Sequence, residues 1–562
     1  MINQRRKDIS LIVSLFLMGS VPSSMVLSQT LPLVSPATRT QIEQEQALRL
    51  EQIEQAKQSV EQIERVAPLP ELPIEEGERC FDVVQIVFSG NTVFVDASLL
   101  ESIEFSPGCL GLSEINEYLR RITNLYVESG YVTSRAFLVP QDLSLGQLEI
   151  VIMEGKLEGV LLNGVSEPFL EHAFPNLVGK ALNLRDIEQG LDQINRLSRY
   201  NSQIKLLPSQ RQGYSVVDIQ TGEGSAGSFG LGFGNGGQPS TGEELISMNA
   251  SAGNVFGMLD SWSLSGSTSA EFVDSRGSES LYLSVDVPYG YWNVNFRTSY
   301  STYKSTFTSN DFTFDSSGKN NSHFLDIKWL AHRNAIGKTS LDLGITHRRE
   351  RNYLLGSLLD SGSRNLSSLG LTLNHSRRLG QGYWTFSPSF ALGSDWFGGE
   401  SDDGKRHADP KAQFYKGTLT TSYTYSILPS LTYTTTLFGQ WTNHTLYGSE
   451  RLSIGGEYSI RGFKNVALSG DEGYYWRNEL NYPLATLPFI GHVSTQLALD
   501  TGTIAKDGDD LYERGTLTGT SLAVRTQHQY GSSSVTVGLP LSSPSRLNAD
   551  DYVIYYQLNV KI

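Results

Sequence analysis

The last residues of the chain alternate strictly. Ile554, Tyr556, Leu558, Val560 and Ile562 fall on one face of an extended strand, and Tyr555, Gln557, Asn559 and Lys561 on the other. From about residue 225 onward the same period of two recurs in Leu281–Val287, Trp292–Tyr300, Phe324–Trp329, Thr339–Ile345, Leu369–Asn374, Leu419–Tyr425, Leu431–Gln440, Trp476–Tyr482, Val493–Leu499, Leu517–Arg525 and Ser533–Gly538. Gly, Ser, Asn and Asp turns separate these segments. Apolar-out, polar-in alternation predicts strands of a transmembrane β-barrel. Residues 225–562 supply about 16 antiparallel strands at roughly 20 residues per strand and turn, with Tyr, Trp and Phe near the ends as interfacial girdles. A soluble sandwich or propeller would face its aromatics inward and needs no undivided array of this length.

Upstream the period changes. Residues 39–65 lack Gly and Pro and are dense in Glu, Gln and Ala, which predicts a helix about 40 Å long. Its apolar stripe (Ile42, Ile53, Val60, Ile63) is thin and interrupted by Gln46 and Arg49. A helix so polar either bridges solvent or sits in a polar cavity. The Pro/Glu-rich stretch 66–79 predicts an extended linker. In 80–155 a strand over Phe81–Phe88 is followed by Gly90-Asn91 and room for a short helix near Ala97–Ile103. A helix capped by Ser113 then carries Ile115, Leu119, Ile122 and Tyr126 and ends at Gly130. Strands Tyr131–Val139 and Leu148–Met153 complete the unit. Residues 156–223 repeat the order: a strand at Val160–Leu162, Asn163-Gly164, helices at Pro168–Phe174 and Leu184–Arg199, and strands at Gln203–Leu207 and Tyr214–Thr221. Two similar α+β units of about 70 residues follow from this.

Composition narrows the class. The 562 residues include 54 Gly, 26 Tyr and 24 Phe, yet only 18% are charged and 39% hydrophobic. No apolar run of about 18 follows the N-terminus, which excludes a helical membrane protein. An aromatic content of 10% excludes simple disorder. A net charge of −15 excludes nucleic acid as a partner. Arg5, Arg6 and Lys7 before the short apolar core Ile9–Val21 read as a signal peptide over 1–28, with Val26 and Ser28 placing cleavage near Ser28–Gln29. In an exported chain the two cysteines, Cys80 and Cys109, most simply form one disulfide. Their spacing fits no zinc pattern. Gly232–Gly237 matches G-x-G-x-x-G but lies outside any βαβ unit. The nine His form no metal-ligand pair, no G-x-S-x-G elbow occurs, and Asp507–Asp510 reads as a solvated loop. No catalytic residue, metal or cofactor is therefore expected, and the chain does not read as an enzyme.

The sharpest stretch is 450–483, where Gly455-Gly456 precedes Ile460-Arg461-Gly462-Phe463, and Gly473 precedes Arg477-Asn478-Glu479-Leu480. It resembles the loop motif of two-partner secretion transporters, the TpsB or haemolysin-activator family, within the BamA-like superfamily. Ala498–Gly502 resembles that family's x-x-D-x-G strand motif. Pro288–Trp292 resembles its P-x-G-x-W hairpin, and Asn254–Asp260 its N-x-x-G-x-x-D segment. Gly130–Ala136 with Gly146-Gln147-Leu148 and Glu154-Gly155 resembles its first POTRA domain. The resemblance implies a signal peptide (1–28), an N-terminal plug helix region (29–65), a linker (66–79), two POTRA domains (80–155 and 156–223) and a barrel (225–562). It also implies a loop folded back into the lumen. Arg461 would pair there with Asp500 at the wall, Gly462 would let the backbone pass close, Phe463 would fill the gap, and Gly502 would lie on the same strand motif. The implied function is a monomeric outer-membrane pore, with POTRA domains in the periplasm of a Gram-negative cell. It would export one large unfolded partner (an adhesin, haemolysin or contact-dependent toxin) without ATP, and its other partner would be outer-membrane lipid. The nearest alternative is a BamA-like assembly factor; a passive porin and a barrel lipase fit less well. Ile562 departs from the aromatic ending common among such barrels.

Overall fold

The computed structural model describes residues 35–61, 69–70, 80–222, 224–271, 273–309, 312–505 and 514–561. The expected signal segment and cleavage position, most of the linker, Ile63, Asp507–Asp510 and Ile562 lie outside the described residues.

In the first unit, Gln85–Ser89 runs parallel to Gln147–Met153, which also pairs antiparallel with Arg135–Leu138. Helices Asp96–Ile103 and Leu112–Glu128 supply the apolar faces that cover this sheet, so Ile86, Leu99, Ile115, Ile122, Tyr126, Leu148 and Ile150 form its core. Three details correct the expectations above. The strand expected over Phe81–Phe88 is two strands, Cys80–Val83 and Gln85–Ser89. The chain breaks at Val84, where Gly146 O accepts from the N–H of both Val84 and Gln85. The long helix is capped by Gly111, not Ser113. Gly111 ends a strand and already has extended backbone, and its N–H donates to the Glu114 carboxylate at 2.8 Å. The strand expected over Tyr131–Val139 is only Arg135–Leu138, because Ser134 N–H donates to Tyr131 O in a turn.

Cys80–Val83 pairs with Gly108–Gly111, and Cys80 and Cys109 are joined across this ladder at a Cα separation of 5.3 Å. The bridge closes a loop that contributes about 3–4 kcal/mol by the loop-entropy model. Replacing both cysteines by Ser should lower the opening free energy of residues 80–155 by about 3 kcal/mol. Hydrogen exchange on the full chain with and without reductant reads this directly.

Buried Glu154 pins the turn after Gln85–Ser89. Its carboxylate accepts from the N–H of Thr92 (2.7 Å) and Val93 (2.8 Å), from the Thr92 hydroxyl, and from Tyr126 OH (2.8 Å). Burial alone would raise its pKa; the donors outweigh burial and hold it below the ordinary carboxylate value. A depressed folded-state pKa gives stability that is present above the unfolded value of about 4.3 and lost as pH falls through the folded one. Glu154→Gln should cost this unit about 1–3 kcal/mol at neutral pH. It should also flatten the acid limb of its stability profile, measured by amide exchange across pH.

In the second unit Tyr214–Thr221 is central, parallel to Lys156–Leu162 and antiparallel to Ser202–Pro208. The last is an edge strand. The helix expected to reach Arg199 spans Leu184–Asn195, since the Asn195 amide turns to bond the backbone of Ser202 and ties the helix end to that edge. The preceding short helix spans only Leu170–Ala173.

Among the described residues, sixteen antiparallel strands close a barrel from Gly227–Gly234 to Val553–Lys561, with the two-residue Ser357–Leu358 extending one hairpin. The final strand places Ile554, Leu558 and Val560 outside and Tyr555 inside. Phe229, Leu231, Val294, Phe296, Leu497 and Leu499 are likewise exposed on the wall, while Ser322, Gln440, Gln496 and Ser521 are buried toward the lumen. The glycines of G-x-G-x-x-G begin in the first barrel strand, Gly227–Gly234.

The second unit grips one rim of the barrel. Gly290, in the turn after Pro288-Tyr289, accepts from the side-chain amides of Gln189 (3.2 Å) and Gln193 (3.0 Å) and donates to His172 O (2.7 Å). Leu259, in the Asn254–Asp260 turn, inserts into the second unit's own core. The Asp260 carboxylate holds that turn by accepting from Val255 and Phe256 N–H and from Trp262 Nε1. Buried Arg333 bridges Glu188 (3.1 Å) and Asp192 (2.5 Å).

Candidate functional site

Between Leu431–Trp441 and Gly473–Leu487 the chain does not turn tightly. It folds inward as a hairpin of Leu452–Ile454 against Leu468–Gly470. Ile454, Ile460, Phe463 and Leu468 make this segment apolar enough to pack, with Leu517 and Tyr475 of the wall, into a small core. Its tip carries Arg461, which is 2% exposed, against Asp500, which is fully buried.

Arg461 Nε and Nη2 each approach an Asp500 carboxylate oxygen at 2.6 Å, and Arg461 N–H donates to the same carboxylate at 3.1 Å. This is bidentate pairing with a third bond from the backbone. Nη1 reaches Gln496 Oε1 at 3.1 Å and Glu479 at 2.7 Å. Arg477 in turn holds Glu479 at 2.8 Å and Glu457 O at 3.0 Å. A charge this buried persists only with full partnering, which two carboxylates and an amide supply. Gly462 has φ of +101°, and a Cβ there would lie 2.6 Å from Leu539 O. A side chain at Gly519 would collide with Arg461 O. Phe463 seats in the small core while its carbonyl accepts from Tyr555 OH at 2.9 Å. Gly502 leaves the space that Ile460 occupies.

The structure thus brings together Arg461, Gly462, Phe463, Asp500 and Gly502, and places Cys80 and Cys109 far off in the first unit. Sequence reasoning missed Gln496, Glu479 and Gly519 as members. Gln496 lies four residues before Asp500 on the same inward face, and Glu479 two after Arg477, so strict alternation carried the signal.

The helix Pro36–Glu61 runs through the lumen beside this loop. Near its start, Pro36 O accepts from Gln238 Nε2 at 3.1 Å and Arg39 donates to Lys464 O at 2.8 Å. Gln46 donates to Ser453 O at 2.8 Å, Glu45 pairs with Arg348 at 2.9 Å, and Arg49 lies 3.7 Å over the Phe438 ring. At its end Glu61 O accepts from Arg378 at 2.7 Å. Its partners span the barrel from one end to the other, and two of them, Lys464 and Ser453, belong to the folded-in loop. Among the described residues no group of three or more His, Cys, Asp or Glu stands ready to hold a metal ion.

Comparison with known proteins agrees in extent. The model of haemolysin secretion/activation proteins ShlB/FhaC/HecB matches residues 213–526, a ShlB-type POTRA model matches 81–155, and a POTRA model matches 156–208. The chain is 38% identical over 554 residues to the outer membrane transporter CdiB of Dickeya dadantii (strain 3937), covering 98% of each chain. It is 28% identical over 415 residues to the hemolysin transporter ShlB of Serratia marcescens, covering 73% of each. The structure of CdiB from Escherichia coli superposes with a TM-score of 0.92 at 36% identity, over 95% of this chain and all of that one.

Proposed function

Because the chain belongs to the ShlB/FhaC/HecB family of haemolysin secretion/activation proteins, we propose that it captures one large unfolded exoprotein in the periplasm and passes it through its lumen to the cell surface. It is an outer-membrane transporter of the two-partner secretion family. The rim gripped by the second unit is its periplasmic side. The observation that carries the fuller reading is the filling of the lumen. Helix and loop are seated by side-chain hydrogen bonds and ion pairs, with only a small apolar core at the loop, so both can leave without dismantling the barrel. No step calls for hydrolysis; folding of the client outside supplies direction. The pore works as a monomer, and the Arg461–Asp500 pair locks the loop against the wall. Capture uses the edge strand Ser202–Pro208, whose outer main-chain groups past Ser202, which Asn195 holds, can add a client strand with little sequence demand.

A tether tests the filling. A disulfide between Gln46→Cys and Ser453→Cys should stop secretion when oxidised and release it on reduction. Secretion at the normal rate through the oxidised pore would refute passage past helix and loop. For capture, the client's N-terminal segment should protect amides within Gln203–Leu207 from exchange in the full chain; unchanged exchange there would move the contact elsewhere.

A further inference from the structure

The outer wall carries charge where the strands leave the apolar band. The strands Trp292–Ser309, Phe312–Arg333 and Gly337–Leu354 run from the gripped rim toward the extracellular end, and outward positions follow every second residue. Phe296, Leu325, Ile345 and Leu369 form one outward row, joined by strand register. The next row outward is Thr298, His323, His347 and Ser367. The row after that is Tyr300, Asn321, Arg349 and Asn365, and beyond it Thr302, Lys319 and Arg351 lie side by side. Lys319 and Arg349 are exposed, and Arg351 is half-buried.

These three cations are adjacent. Lys319 stands directly opposite Arg351, and Arg349 is two residues along the same face. Arg351 spends its donors on neutral groups: Glu350 O at 2.7 Å, Arg364 O at 3.0 Å and Asn365 Oδ1 at 2.9 Å. Among the described residues none of the three has a carboxylate as its cross-strand partner. The outward carboxylates Glu279 and Asp315 stand opposite Thr302 and Thr306, nearer Lys304; Glu279 shares the row of Lys319 two strands away, about 10 Å by strand spacing. Three like charges with Asn321, Asn365 and Thr302 between them raise one another's energy unless an anion joins them. They stand two rows (Arg349) and three rows (Lys319, Arg351) past the apolar row of Phe296, Leu325, Ile345 and Leu369, on the side toward the extracellular end, where headgroups of the outer leaflet would meet the wall.

We infer that Lys319, Arg349 and Arg351 form a site for the phosphorylated headgroup of a lipid in the outer leaflet. Two guanidinium groups suit phosphate oxygens in bidentate fashion, and Lys319 adds a point charge. The site depends on the chain's outer-membrane placement and not on its transport mechanism.

The test uses the full chain in detergent and four probes: bis-phosphorylated lipid A, the same lipid dephosphorylated, phosphatidylethanolamine, and inorganic phosphate. Binding is followed by native mass spectrometry. The natural chain should prefer the bis-phosphorylated lipid to its dephosphorylated form by about a hundredfold, about fivefold for each of the three cations. The variant Lys319→Gln/Arg349→Gln/Arg351→Gln should lose that preference, and Arg349→Gln alone should reduce it about fivefold. Lys304→Gln, beside Glu279 and Asp315, should leave it unchanged. Equal binding of the two lipid A forms, or an undiminished preference in the triple variant, overturns the site. Competition by inorganic phosphate at equal concentration would make it a free-phosphate site and overturn the lipid assignment. The outward side chains leave the backbone ladder intact, and the lipid comparison on the natural chain needs no variant.

Discussion

Arg461→Ala yields barrels that assemble in the outer membrane and secrete almost no client. Removing one partner of a buried, hydrogen-bonded ion pair costs about 3–5 kcal/mol, most of it from the charge left behind. Here Asp500 loses both side-chain bonds and, with the loop adrift, the backbone donor as well. The penalty falls on the loop and not the wall, because the ladder that pairs Arg477 with Asp500 is made by main chain alone. Heat-resistant migration of the folded barrel should therefore persist while client in the medium drops at least about tenfold, one decade being only 1.4 kcal/mol. Two companions sharpen the reading. Arg461→Lys keeps the charge but loses the fork and should secrete at an intermediate level. Arg461→Ala/Asp500→Ala removes the stranded carboxylate and should disorder the loop less than the sum of the single changes. Full secretion by Arg461→Ala would mean that the pair only decorates the loop.

Deleting residues 36–61 raises single-channel conductance severalfold. A helix with its side chains is about 10–12 Å across, a large share of a lumen that the folded-in loop already narrows. The deletion also frees Arg348 from Glu45, leaving Glu450 as its partner at 3.0 Å, so the wall stays charge-balanced and the pore stays open to ions. The same deletion should leave the amount of folded barrel unchanged, since no strand pairs with the helix. Planar-bilayer recordings decide; conductance equal to that of the intact chain would place the helix outside the conducting path in the membrane.

Alternation alone predicted the barrel, since each outward apolar residue reports lipid and each inward polar one reports the lumen. The position of the helix was not legible. A helix as polar as 39–65 suits both water and a polar channel, and only partners remote in sequence, such as Ser453 and Lys464, distinguish the two. The motif residues Arg461 and Asp500 could be paired from the family resemblance. Gln496 was within reach of alternation, four residues before Asp500 on the same strand, whereas Gly519 needed the register that places it opposite Asp500, which one sequence does not print. Local errors had local causes. Ser113 looked like a cap because Ser is a good one, but Gly111 already had the required extended backbone from the strand it ends.

The grip of Arg333 on Glu188 and Asp192, with Leu259 seated in the second unit's core, bears on the kinetics of capture. These contacts hold the second unit against the rim, so if capture proceeds at its edge strand Ser202–Pro208 as proposed, that edge stays close to the opening. A client segment added there faces the pore at a local concentration set by a short length of chain, in the millimolar range for flexible links. Loosening the grip, as in Arg333→Ala, would leave the affinity of the edge intact. It would dilute the captured segment over a larger volume, so secretion would slow through the frequency of entry while binding stayed the same.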